Sequence, residues 1–172
     1  KRTLDALTKL KEKSFNKYKE FWNEYGLVLK EGPAEDFDNK ELIASLILFN
    51  SSNHTDMDNL ISLDEYIEKM QPEQDKIYFC VADTFEAAIN SPHIEKLKSK
   101  EIEVLLLTDR IDEWLMTSIY EYKGKQLVNV AKEEISKENK ESKINDKDKD
   151  IIEKIKSHLK NKVSDVLISE RL

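Results

Sequence analysis

A single cysteine, Cys80, stands in 172 residues, so the chain cannot build a disulfide framework of its own. A reducing compartment is therefore the natural home, and a cytoplasmic location is expected. Glycine is nearly as scarce. The three glycines stand at positions 26, 32 and 124, a spacing that forms neither a phosphate-binding loop nor a dinucleotide-binding turn. His54, His93 and His158 are far apart, and no Gly-x-Ser-x-Gly elbow frames a serine nucleophile. His54 lies two residues from Asp56, but without the further ligands a metal site needs, so no metal is expected. No apolar run approaches the ~18–20 residues of a membrane span, and no signal peptide is expected. Surplus positive charge is missing too. The net charge is -7, which argues against a nucleic-acid backbone or an anionic membrane as partner.

What is present is charge and periodic apolar residues. Hydrophobic residues make up 39% and charged residues 37%, with Lys and Glu interspersed as on solvated helix faces. The chain opens on Lys1-Arg2 without an initiator Met, and is read as a piece of a longer protein. Leu4, Leu7 and Leu10, then Phe15, Tyr18, Phe21, Trp22 and Tyr25, fall at helical spacing. They predict one amphipathic helix, or two with a joint near Lys13-Ser14, ending at Gly26. Residues 26–33 hold two of the glycines and Pro33 and read as punctuation. A second helix is predicted from Asn39 to Phe49, followed by a polar loop from Asn50 to Asn59.

From there the pattern changes to alternating strands and helices. Ser62 and Glu65 form a capping box ahead of a short helix. Lys76 to Ala82 is a continuous apolar run, as in a strand covered on both faces. Thr84 and Ser91-Pro92 start two short helices, Val104 to Leu107 is a second strand, and Gln126 to Val130 a third. The order predicts an α/β fold: a helical connector over 1–59, then a small three-layer α-β-α subdomain with a short parallel sheet over 60–131. A charged linker follows over 132–150. Residues 151–172 read as the start of an incomplete α+β C-terminal segment, with Ile151, Ile152, Ile155, Leu159 and Val163 on one helix face.

The stretch from Glu103 to Lys125 concentrates the candidates. Trp114, Leu115 and Met116 are consecutive on a predicted helix, so they cannot all point inward. Their surplus apolar area is core, interface or binding site. At the strand end stand Asp109, Asp112 and Glu113, where parallel α/β sheets tend to place functional groups. Two readings compete: acid/base chemistry, and a plainer one in which Asp109 caps the helix while Asp112 and Glu113 favour its positive end. Capping is preferred. Cys80, in mid-strand, reads as a buried structural thiol.

Five ordered segments carry a resemblance: GLVLKEGPAEDF (Gly26 to Phe37), SLDEYIEKM (Ser62 to Met70), QDKIYFCVAD (Gln74 to Asp83), SPHIEKL (Ser91 to Leu97) and EVLLLTDRIDEW (Glu103 to Trp114). Together they resemble the bacterial HtpG branch of the 90-kilodalton heat-shock chaperone family, and the closing ISERL is similar to the opening of that family's C-terminal domain. The resemblance implies a fragment holding the distal middle domain and the start of the C-terminal domain. It implies an ATP-dependent chaperone when the protein is whole, a homodimer using ATP and magnesium. The ATP site and its assisting arginine would lie outside this chain, leaving no catalytic, cofactor or metal residue to assign and no enzyme in the fragment itself. The implied partners are partly folded client proteins and the protein's own N-terminal and C-terminal domains. Asp112, Glu113, Trp114, Leu115 and Met116 are the implied client-binding candidates. A purely structural module that transmits motion, and an enzyme using the strand-end carboxylates, are the competing readings.

Overall fold

The computed structural model describes residues 2–132; the expectations for 133–172 fall outside the described residues. Two helices open the chain, α1 (Arg2–Lys13) and α2 (Phe15–Glu35), jointed at Ser14. The predicted joint is found, but the predicted end at Gly26 is not: α2 continues to Glu35, through both Gly26 and Pro33. Gly26 serves contact rather than termination. A Cβ there would stand 2.8 Å from the Trp22 indole, which lies along its own helix one turn on. Pro33 falls in the last turn, where the backbone bond it forgoes is cheapest, and the helix stops two residues later.

Helix α3 (Lys40–Leu46) stops short of the predicted Phe49, and the chain enters strand β1 (Leu48–Ser51). Leu46, Ile47, Leu48 and Phe49 are all buried, and a continuous apolar run suits a covered strand as well as a helix. Strand β2 (Ile61–Ser62) leads into α4 (Leu63–Glu68) through the predicted capping box. The Glu65 N–H donates to Ser62 Oγ at 3.4 Å and the Ser62 N–H donates to Glu65 Oε2 at 2.7 Å.

Strand β3 (Lys76–Val81), α5 (Phe85–Ile89), α6 (Pro92–Lys98), β4 (Val104–Leu107) and α7 (Asp112–Ser118) follow as predicted. The last pair, β5 (Glu121–Tyr122) and β6 (Lys125–Asn129), is a hairpin whose first strand the sequence reading missed. Its two-residue turn, Lys123-Gly124, has positive φ at both positions, 47° and 75°, as a type I′ hairpin turn requires.

The sheet runs β2-β1-β4-β3-β6-β5. Its centre, β4-β3-β6, is parallel as expected, and antiparallel strands flank it on both sides. Side chains alternate between two cores. Ile77, Phe79, Leu105 and Leu107 join Tyr18, Trp22, Leu115 and Ile119 on one face; Tyr78, Cys80, Val104 and Leu106 join Phe85, Ala88 and Ile94 on the other. The result is three layers, helix on sheet on helix. The stretch expected as a connector shares the first core, since β1 pairs with β4 and Tyr18 and Trp22 pack in one cluster with Leu105 and Leu107. Residues Lys1–Val130 form one compact unit, and a second begins at Ala131.

Candidate functional site

Helix α7 begins five residues beyond the carboxyl end of β4, and its first turn is anchored from an unexpected quarter. On α2 the buried positions Tyr18, Trp22, Gly26, Lys30 and Pro33 form one face. Lys30 therefore enters the interior, only 5% exposed, its Nζ lying 6.0 Å from the Trp22 ring and 5.8 Å from the Phe49 ring. There it donates to Asp109 Oδ2 at 2.7 Å and lies 2.7 Å from Asp112 Oδ1. Asp112 is 1% exposed and accepts the Asp109 N–H on Oδ2 at 3.0 Å. Burial pushes the Asp112 carboxyl above the usual carboxylate range, and the Lys30 charge works against that rise.

This arrangement corrects the assignment of Asp109 as the cap, while Asp112 and Glu113 do stand in the first turn of α7 as expected. The residue at the helix boundary is Ile111, with no side-chain cap, and the Asp109 carboxylate goes to Lys30 instead. Asp109 and Asp112 are thus brought together, but around a lysine. Sequence reasoning missed Lys30 because residues 26–33 read as a break. The available signal was its place one turn beyond Gly26 on the face that carries Tyr18 and Trp22.

Beyond the anchor, α7 divides its surface residue by residue. Leu115 is fully buried in the first core, Met116 is half-buried against it, and Trp114 is 45% exposed. Glu113 is exposed and lines a 530 Å³ cleft at the carboxyl ends of β3 and β4 with Val81, Ala82, Asp83, Thr108, Asp109 and Arg110. Of the five candidates, Glu113 and Trp114 face solvent, Met116 does so in part, and Asp112 and Leu115 support them from inside.

Elsewhere Cys80 and Asp56 take structural roles. Cys80 is buried in the second core, where burial pushes its thiol up. Asp56 organises its own loop by accepting the N–H groups of Asp58 and Asn59 at 3.0 Å. Among the described residues no group of three or more His, Cys, Asp or Glu could hold a metal ion, and no helix is long and apolar enough to cross a membrane.

The family model for the Hsp90 protein matches residues 1–172 of this chain. The chain belongs to the Hsp90 family. Chaperone protein HtpG of Buchnera aphidicola is 46% identical over 179 residues, covering all of this chain and 29% of that protein. Chaperone protein HtpG of Shewanella amazonensis is 47% identical over 180 residues, again covering all of this chain and 28% of its own length. The chain thus spans less than a third of the curated relatives it matches. Among solved structures, the middle domain of a putative heat shock protein from Plasmodium falciparum superposes with a TM-score of 0.71 at 37% identity. That match covers 75% of this chain and 53% of the other. The α/β architecture described above is therefore that of an Hsp90 middle domain.

Proposed function

We propose that this chain is part of an ATP-dependent, cytoplasmic molecular chaperone and supplies it with client-binding surface. The observation that carries the reading is the exposure of Trp114 directly beside the fully buried Leu115. A helix that has already seated its core residue gains nothing for folding by presenting an indole to water. A broad aromatic ring with an adaptable Met beside it suits contact with many apolar segments. Glu113 adds a charge that orients polar parts of the same client. The anchored first turn holds these groups on a rigid base.

In this reading the fragment carries no nucleotide chemistry. ATP and magnesium act elsewhere in the whole protein, as does the homodimer contact, and the N-terminal and C-terminal domains are its partners within the chain. Asp109 and Asp112, the carboxylates an enzyme would have used, are both engaged by Lys30. One observation favours the second reading, a motion-transmitting module: the buried Lys30 contacts tie α2 to the start of α7. The two readings are separable. Trp114→Ala is expected to weaken binding of a partly unfolded client protein on the order of tenfold, the scale of a centrally placed aromatic contact, with circular dichroism and thermal midpoint nearly unchanged. Undiminished client binding by a folded Trp114→Ala chain would sink the client-surface reading and leave the module.

A further inference from the structure

Helix α2 carries a second exposed apolar surface that the Trp114 reading does not use. Tyr25 is 58% exposed and Val28 65% exposed, one turn apart on one strip of the helix. Half-buried Phe21 extends the row by a turn, its ring stacked on Tyr25 with centroids 5.4 Å apart. From residue 20 to residue 35 the exposed charges of α2 have one sign, with the exposed Lys17 one turn before Phe21. Glu20, Glu24, Glu31 and Glu35 are all exposed, while the one basic residue between positions 20 and 35, Lys30, is turned inward. At ~3.6 residues per turn Phe21, Tyr25 and Val28 form one strip, and Glu20, Glu24, Glu31 and Glu35 line the edge of it that faces away from the core. Glu20 with Glu24 and Glu31 with Glu35 are like-charged i,i+4 pairs, each costing the helix a few tenths of a kcal/mol. Among the described residues, no basic side chain forms an ion pair with any of the four.

We infer that this face of α2 docks a basic amphipathic helix of a partner protein. Its apolar residues would cover Phe21, Tyr25 and Val28, and its lysines or arginines would pair with the four glutamates along one edge of that strip, as a charged flank does beside an apolar helical seam. The sign of that edge rejects nucleic acid and anionic membranes. It also opposes a second copy of this chain, since two-fold pairing through this face would lay the same glutamate rows against each other. The docking face is independent of the client reading.

The test uses the whole 172-residue chain and a synthetic amphipathic helix with leucines at the apolar positions and lysines elsewhere. Fluorescence anisotropy of the labelled peptide reads the affinity. Two variants address the two halves of the claim: Tyr25→Ser with Val28→Ser, and Glu24→Gln with Glu31→Gln. Gln matches Glu closely in helix propensity, so the second variant keeps its fold even if the first does not. Each is expected to weaken binding on the order of tenfold or more, as loss of a central anchor or of complementary charge does. Trp114→Ala is expected to bind like the parent chain. A scrambled peptide of the same composition, and one with glutamates for lysines, are expected to bind weakly or not at all. The inference is overturned if the Gln variant binds as tightly as the parent, if either control peptide binds equally well, or if Trp114→Ala abolishes binding.

Discussion

Lys30 is the residue on which the site depends, and its energetics are asymmetric. A buried ion pair is worth little against an apolar replacement of the whole set, but removing one partner strands the other. Lys30→Met leaves Asp112 charged at 1% exposure and is expected to cost ~3–5 kcal/mol in urea unfolding at neutral pH. Replacing Asp112 with Leu in the same chain should recover most of that loss. The cost should also fall in acid. Burial already raises the Asp112 carboxyl's pKa, and without the opposing Lys30 charge it rises further, so the stranded group neutralises at a higher pH. Asp64 behaves in the opposite sense. Burial favours its neutral form, but hydrogen bonds from Lys123 Nζ at 2.6 Å and Tyr122 Oη at 2.7 Å, with the Lys123 and Lys11 charges, hold the carboxyl below its usual range. A depressed folded pKa gives stability that is present above the unfolded value and lost as pH falls through the folded one. Asp64→Asn should therefore cost on the order of 1 kcal/mol at neutral pH, and the gap from the parent chain should close in acid denaturant titrations.

At the scale of elements, α2 shows what the sequence could and could not tell. The capping box at Ser62, the strands β3 and β4, and the helix starts at Thr84 and Pro92 were legible, because each is set by local chemistry. Gly26, β1 and Lys30 were not, because each is decided by something distant in sequence or by packing. A glycine reads as a break until the Trp22 ring is seen lying over it; Phe49 reads as the end of a helix until β4 is seen beside β1. Likewise, Trp114 was recognisable as surplus, but which of three consecutive apolar residues was left outside depended on where α7 meets the core. Gly26→Ala tests the packing argument against propensity. Alanine favours a helix interior by ~1 kcal/mol over glycine, so an unobstructed site would be stabilised. With a Cβ placed 2.8 Å from the indole, the ring must shift from a buried position, and the variant is expected to lose ~1–3 kcal/mol instead. A rise in thermal midpoint would show that Trp22 gives way freely.

Over residues 2–132, the first core joins parts of the chain that lie far apart in sequence. Tyr18 and Trp22 from α2, Leu48 and Phe49 from β1, Leu105 and Leu107 from β4, and Leu115 from α7 bury one another's surfaces. None of these elements can leave without exposing the others, and the Lys30 contacts to Asp109 and Asp112 add a charged tie between the same helices. Cooperative opening follows from such sharing, whereas a connector with its own core would open by itself. Native-state hydrogen exchange at low denaturant resolves the difference. Amides of α2 around Trp22 and amides of β4 from Val104 to Leu107 are expected to exchange with the same opening free energy and the same denaturant slope. A lower free energy confined to α1 and α2 would mean that the helices open while the sheet stays closed. The client-facing Trp114 would then ride on a base that holds without its Lys30 anchor, and the rigid-platform account of α7 would fail.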